Sequence, residues 1–177
     1  MIGVLASGEG TNLQALLDAG LPVVAVASNK RGCRALERAD DAGVEAAAFP
    51  LDEFANREQR DTTMANWLQE QGVRLVVCAG YMHLLTPRFL DRFAGRVVNV
   101  HPSLLPEFPG ARAIDDALAA GVETTGVTVH LVDEGLDTGP VVRQVPVPVE
   151  PRETLVERIH AVEHELLPEV VRELCAR

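Results

Sequence analysis

The stretch Ile2-Gly-Val-Leu-Ala-Ser7-Gly-Glu-Gly-Thr-Asn-Leu13 decides the fold class of this chain. A short apolar run, typical of a buried strand, leads into a glycine-rich turn. After the turn, Leu13, Leu16 and Leu17 recur at the spacing of one helix face. A strand that passes through a tight turn into a helix is the first part of a β-α-β unit, so the stretch predicts an α/β fold.

The same alternation continues to about residue 100. The predicted strands are 2–6, 23–27, 44–49, 75–79 and 97–100, and the predicted helices are 12–19, 32–42, 54–71 and 87–93. Short apolar strands separated by helices are typical of a mainly parallel twisted sheet with helices on both faces.

The pattern changes in the second half of the chain. Apolar runs at 125–132 and 140–149 are joined by a short loop, which predicts an antiparallel hairpin. Two prolines in Val145-Pro-Val-Pro-Val149 place the second of these strands at an edge of the sheet. A long amphipathic helix is predicted over 151–175, with Pro168 as a potential break.

Composition narrows the class of protein. The formal net charge is −10, with 26 acidic and 16 basic residues, and the basic residues are scattered, which disfavours nucleic-acid binding. No apolar run reaches the roughly 18 residues of a membrane span, and residues 1–6 resemble a strand more than a signal peptide. Three widely spaced cysteines suit a reducing compartment, so we expect a cytoplasmic protein, with Cys78 as a buried, inert thiol.

The segment Asn99-Val-His101 ends a predicted buried strand, and its two polar side chains share one face because side chains alternate. An amide donor beside an imidazole suits acyl transfer. The amide can stabilise the oxyanion of a tetrahedral intermediate, and the imidazolium can stabilise charge or supply a proton. The alternative is a core histidine beside a capping asparagine.

A carboxylate in the turn-rich loop 132–140 supports the catalytic interpretation. If this loop folds over the same strand end, Asp137 can orient the His101 ring and stabilise its charged form. The alternative is that Asp137 serves only the turn, where Asp is common.

The glycine-rich turn at residues 7–12 predicts an anion site. Backbone N–H groups at the start of a helix converge on one point. The third glycine of a dinucleotide fingerprint and the lysine of a P-loop are missing, so a single phosphate suits this turn best. A plain tight turn with a helix cap at Thr11 or Asn12 is the alternative.

Four motifs together resemble the folate-dependent formyltransferase family over nearly the whole chain. They are the opening Ser-Gly-x-Gly-Thr-Asn-Leu, Ala79-Gly-Tyr-Met-His-Leu-Leu85, Asn99-Val-His-Pro-Ser-Leu-Leu-Pro106 and Leu136-Asp-Thr-Gly-Pro140. The glycine-rich opening is most similar to the glycinamide ribonucleotide branch of that family. The resemblance implies formyl transfer from 10-formyltetrahydrofolate to the amine of 5-phosphoribosylglycinamide, in purine biosynthesis and with no metal.

The resemblance also implies roles for individual residues. The implied catalytic residues are Asn99, His101 and Asp137. The implied phosphoribosylglycinamide-binding residues are Gly10, Thr11, Asn12, His160 and Glu163. The implied folate-binding residues are Arg57, Met82, His83, Leu84, Leu85, Asn99, Asp133, Glu134, Gly135, Leu136 and Asp137. His83 stands where the family commonly has Arg. We expect one domain over 1–177, with a phosphate-binding half (1–95) and a catalytic and folate-binding half (96–177).

Two alternative functions come from other features. The pattern His160-Ala-Val-Glu-His164 matches an inverted zinc-protease motif, although no third ligand is evident. A non-catalytic module could use only the phosphate turn. His130 is expected to be a buried structural histidine, and Leu105-Pro106 is a candidate cis peptide.

Overall fold

One seven-stranded sheet organises residues 1–176, the part of the protein that the computed structural model describes. The strands are β1 (Ile2–Ala6), β2 (Val23–Ser28), β3 (Glu45–Ala48), β4 (Leu75–Cys78), β5 (Val97–His101), β6 (Thr124–Leu131) and β7 (Val141–Pro148). Their order is β3-β2-β1-β4-β5-β6-β7. The first five strands pair in parallel and the last two are antiparallel, which confirms the predicted sheet and hairpin.

Helices cover both faces of this sheet. They are α1 (Thr11–Asp18), α2 (Arg34–Asp41), α3 (Arg57–Glu70), α4 (Pro87–Leu90), α5 (Ala113–Ala120) and α6 (Leu155–Cys175). Short 3-10 turns lie at Leu51–Glu53, Asp91–Phe93 and Arg152–Thr154. Alternate side chains of the strands feed two apolar cores, one under α1, α2 and α6 and the other under α3 and α4.

The edge position predicted for the proline-rich strand is confirmed, because β7 is the last strand of the sheet. Cys78 is buried as expected, and burial raises the pKa of its thiol to about 12. The described residues include no helix with the length and apolar character of a membrane span.

Helix α5 is an element that the sequence analysis did not predict. Its core-facing side consists of buried Ala113 and Ala117 with half-buried Ile114 and Leu118. Gly121 ends the helix in the left-handed region, at φ 68°. Both signals for this helix, the i, i+4 spacing of Ile114 and Leu118 and the glycine cap, are present in the sequence.

The potential break at Pro168 does not occur, because α6 runs without interruption for 21 residues. Pro168 is itself buried, and Leu166, Leu167 and Val170 on the same helix belong to the core. Burial of this long face outweighs the one backbone hydrogen bond that a proline removes. The predicted helix 87–93 also differs, since α4 ends at Leu90 and continues as a 3-10 turn.

Candidate active site

A cavity of about 580 Å³ lies where the carboxyl ends of β1, β4 and β5 open. The strand order reverses between β1 and β4, since the chain first adds β2 and β3 on one side of β1 and then β4 and β5 on the other. Crevices at such a reversal are the usual ligand sites of open α/β sheets. The glycine-rich turn, the segment after β4 and the end of β5 all line this cavity.

Asn99, His101 and Asp137 lie together at the wall of the cavity. Nδ1 of His101 is 3.4 Å from Oδ2 of Asp137, and Nδ2 of Asn99 donates to Oδ1 of Asp137 at 3.4 Å. Strand β5 supplies the first two residues, and the loop between β6 and β7 supplies the carboxylate. The three groups are therefore close enough to act on one substrate atom.

Several donors hold the Asp137 carboxylate in place. Its backbone has φ 54°, and Oδ2 accepts the Gly110 N–H at 2.8 Å. Burial opposes ionisation, but hydrogen bonds from His130 and Gly110 and the nearby imidazole of His101 outweigh it and lower the pKa of Asp137. Asp137 is thus an ionised group at neutral pH.

His101 is almost completely buried, and both ring nitrogens face oxygen acceptors. Nε2 lies 2.9 Å from the carbonyl oxygen of Phe108, while Nδ1 faces Asp137. A carbonyl oxygen can only accept, so Nε2 carries the hydrogen that it donates to Phe108. Nδ1 is the ring edge turned towards the Asp137 carboxylate.

His130 is a member of this cluster that the sequence analysis placed only in the core. Its burial is confirmed, at 2% exposure. Its Nε2, however, lies 3.2 Å from Nδ2 of Asn99 and 3.5 Å from Oδ1 of Asp137. His130 pairs with Asn99 across the β5–β6 ladder, and that register was the signal needed to find it.

The glycine-rich turn also lines the cavity. Gly10 precedes α1 with φ 70°, and a Cβ at this position would lie 2.8 Å from the backbone of Ala35. Only glycine fits both the conformation and this close approach. Thr11 and Asn12 follow in the first turn of α1, so all three predicted residues of the turn line the cavity.

His160 and Glu163 of α6 also line the cavity. Nδ2 of Asn12 donates to Oε2 of Glu163 at 3.1 Å. Burial raises the pKa of Glu163 to about 7, although the hydrogen bond from Asn12 opposes the shift. This carboxyl group therefore lies next to the glycine-rich turn with a pKa close to neutral pH.

The predicted folate residues divide into two groups. Met82, His83, Leu84, Leu85, Gly135 and Leu136 line the cavity together with Asn99 and Asp137. Three of these side chains are exposed and add apolar surface to the cavity wall, namely Met82, Leu84 and Leu136.

The structure does not place Arg57, Asp133 and Glu134 in the cavity wall. Arg57 donates to the backbone carbonyl of Leu84 from outside the wall. Asp133 accepts hydrogen bonds from the Gly135 N–H at 3.0 Å and from the Thr138 hydroxyl at 2.7 Å, so it shapes the loop.

The zinc alternative lacks support from the geometry. The rings of His160 and His164 are 6.3 Å apart, and Glu163 is engaged by Asn12. Over residues 1–176, no group of three His, Cys, Asp or Glu side chains is arranged to hold a metal ion. The third ligand that a zinc site requires was not found there.

Comparison with known proteins gives a consistent result. The family model described as formyl transferase matches residues 1–171. Glycinamide ribonucleotide transformylase 1 from Geobacillus kaustophilus is 44% identical with a TM-score of 0.94, and the match covers 98% of this chain and 97% of that one. Phosphoribosylglycinamide formyltransferase from Mycobacterium tuberculosis (strain ATCC 25618 / H37Rv) is 47% identical, over 97% of this chain and 83% of that protein.

A longer relative also matches. The trifunctional purine biosynthetic protein adenosine-3 of Chironomus tentans is 42% identical over 97% of this chain. The chain spans only 13% of the length of that protein, so the comparison concerns one part of it.

Proposed function

The chain belongs to the formyl transferase family, and from this premise we propose that it transfers a formyl group from 10-formyltetrahydrofolate to the amine of 5-phosphoribosylglycinamide. The observation that carries the proposal is the convergence of Asn99, His101 and Asp137 on one cavity that the glycine-rich turn also lines. The relatives named phosphoribosylglycinamide formyltransferase support the same substrate.

The acceptor substrate is proposed to bind at the α1 end of the cavity. Its phosphate would meet the backbone N–H groups of Gly10, Thr11 and Asn12 at the start of a helix, where an anion is favoured. His160 and Glu163 lie beside this site. An ionised Glu163 can accept hydrogen bonds from sugar hydroxyls.

The folate donor is proposed to bind at the apolar part of the cavity wall. Met82, Leu84 and Leu136 expose apolar surface that suits a flat heteroaromatic ring. Arg57, Asp133 and Glu134 lie outside the wall, so any contact they make would be with a part of the donor that extends beyond the cavity.

In the proposed reaction, the substrate amine attacks the formyl carbon and forms a tetrahedral intermediate. The amide of Asn99 and the protonated ring of His101 stabilise the oxyanion. The intermediate then collapses, so that the oxyanion re-forms the carbonyl and the bond from the formyl carbon to N10 of the folate breaks. The proton lost by the amine passes to N10, by way of a water that Asp137 orders. No covalent intermediate with the protein is formed.

The reaction requires that His101 exchange one partner. In this structure Nε2 donates to the carbonyl of Phe108, and the same hydrogen would have to reach the oxyanion. Phe108 lies in the loop after β5 with φ 51°, between the catalytic strand and Gly110. We therefore expect Nε2 of His101 to exchange its hydrogen-bond partner as the substrate approaches this loop.

The direct test mixes the protein with both substrates and follows the folate absorbance. Turnover that depends on the amine substrate supports the transferase. Formate release without the amine would indicate a hydrolase, and binding of 5-phosphoribosylglycinamide without turnover would favour the non-catalytic module. Isolation of a formylated protein would contradict direct transfer.

Other expectations stay predictions. They are small-molecule partners, a cytoplasmic monomer or homodimer, a lack of nucleic-acid binding, a reaction without metal, and the division of one domain into halves 1–95 and 96–177.

A further inference from the structure

An ion pair buried in helix α3 lies directly behind the segment that follows β4. Arg60 and Asp61 are completely inaccessible to solvent. Nε and Nη2 of Arg60 lie 2.8 and 2.7 Å from Oδ1 of Asp61. Buried charges are retained only when they are paired and hydrogen-bonded, so this pair indicates a specific role.

Both members of the pair contact the segment that follows β4. Oδ2 of Asp61 accepts the backbone N–H of Thr86 at 2.8 Å, and Nη1 of Arg60 lies 3.3 Å from Nδ1 of His83. These two contacts hold the segment 83–86 at both ends. His83 itself lines the cavity.

The contact between Arg60 and His83 defines the tautomer of the histidine. A guanidinium group has five donors and no acceptor, and it stays protonated in proteins. Nδ1 of His83 must therefore present its lone pair to Arg60, which leaves the hydrogen on Nε2. Nε2 is then the polar edge of the ring that remains for a ligand.

We infer that Arg60 fixes His83 as a neutral ring that donates from Nε2 to an acceptor atom of the bound formyl donor. The inference rests on the proposed function for the identity of that ligand. A neutral donor suits a carbonyl oxygen or ring nitrogen of a heteroaromatic group, whereas a charged residue would also favour a carboxylate. Arg60 is a positioning residue, and His83 is the residue that would touch the donor.

The charges around His83 agree with a neutral ring. Burial lowers the pKa of His83, and the positive charges of Arg60, Arg57 and Lys30 lower it further. The Asp61 carboxylate opposes this lowering of the pKa of His83. Arg60, however, lies between that carboxylate and the His83 ring and neutralises the negative charge. The ring thus remains uncharged at neutral pH.

The first test measures the tautomer of His83 in the unmodified protein. Two-bond ¹H–¹⁵N correlation spectra of the ¹⁵N-labelled protein report which nitrogen of each neutral histidine carries hydrogen. The protein has five histidines, and the signal absent from His83→Gln identifies His83. We expect the Nε2–H tautomer at pH 7, with a pKa below that of an unperturbed histidine. An Nδ1–H ring, or a charged ring at pH 7, would overturn the inference.

The second test compares two amides that imitate different edges of the ring. His83→Gln can place its NH₂ group near the position of Nε2, whereas His83→Asn places it near Nδ1 and leaves no donor for the ligand. We expect His83→Asn to raise KM for 10-formyltetrahydrofolate by about 3- to 10-fold with kcat nearly unchanged, the size of one neutral hydrogen bond. His83→Gln should recover most of this loss. Equal losses in the two variants would contradict a donor at Nε2.

The role of Arg60 is tested with Arg60→Gln, after its fold is checked by circular dichroism. We expect the His83 signal to shift to a mixture of tautomers and KM for the donor to rise, while KM for 5-phosphoribosylglycinamide is unchanged. If this variant does not fold, the spectrum of the unmodified protein still decides the question. The tautomer can be measured without turnover, so a protein with an Nε2–H ring and no transferase activity would refute only the proposed function.

Discussion

Substitution of Asn99 by alanine tests the proposed oxyanion stabilisation most directly. The amide of Asn99 donates towards Oδ1 of Asp137 at 3.4 Å and lies 3.2 Å from Nε2 of His130, so it is oriented before substrate binds. Loss of one pre-oriented oxyanion donor typically costs about 2.7 to 4 kcal/mol in the transition state. Asn99→Ala should therefore lower kcat by about 100- to 1000-fold and change KM much less.

The same substitution should leave the protein folded. It removes hydrogen bonds worth roughly 1 kcal/mol each and leaves Nε2 of His130 free to turn to water entering the cavity. Urea unfolding should show a free energy of unfolding lower by no more than about 2 kcal/mol. The assay is steady-state formyl transfer at saturating 10-formyltetrahydrofolate, with kcat and KM determined separately.

Asn56→Ala is the matched control. Asn56 caps α3, where its side chain accepts the N–H of Gln59 at 2.9 Å, and it does not line the cavity. Loss of a cap costs about 1 kcal/mol, so the two variants should be similar in stability and differ in turnover. A decrease in kcat of less than tenfold for Asn99→Ala, or an equal decrease for Asn56→Ala, would refute the proposed role of the amide.

Three further outcomes are expected. Asp137→Asn should lower kcat much more than it changes either KM, because the carboxylate that faces Nδ1 of His101 and orders the relay water is lost; an unchanged kcat would argue against the pair. Glu163→Gln should change the pH dependence of stability. The pKa of Glu163 is raised to about 7 in the folded protein, so the folded state binds this proton more tightly than the unfolded state does. The resulting contribution to the free energy of unfolding is at most roughly 3 kcal/mol, and it is lost as the pH rises from about 4.5 to 7. Urea unfolding at several pH values should show that fall in the unmodified protein and a flatter profile in the variant. Gly10→Ala should raise KM for 5-phosphoribosylglycinamide and destabilise the fold more than Gly20→Ala, which has a similar positive φ but open space around the added Cβ; equal stability of the two variants in thermal unfolding would contradict the close approach at Gly10.

Local patterns were sufficient for most of the elements. Strand β1, the glycine-rich turn and α1 follow from the spacing of apolar residues and glycines within about fifteen positions. Local patterns were insufficient where packing outweighed them. Pro168 in the middle of α6 predicted a potential break, and the helix continues through it because the residues around it are buried.

Single side chains were harder to interpret than elements. Arg60 lies in the predicted helix 54–71, where an arginine is usually a solvated surface residue. In the structure it is completely buried against Asp61 and His83. No pattern in the neighbouring residues indicated this burial, because the partner His83 is 23 positions away.

The order of residues alone was enough to predict the α/β sheet that the structure confirms, and to suggest a glycine-rich anion site and the candidate triad of Asn99, His101 and Asp137. The contacts among these groups depended on folding, since Asn99 meets His130 and Asp137 across 31 and 38 positions of chain. Helix and strand preferences arise between near neighbours and can be recognised in a short window. Strand register and loop conformation are set by packing of the whole domain, so the membership of His130 and the buried support behind His83 became visible only in three dimensions.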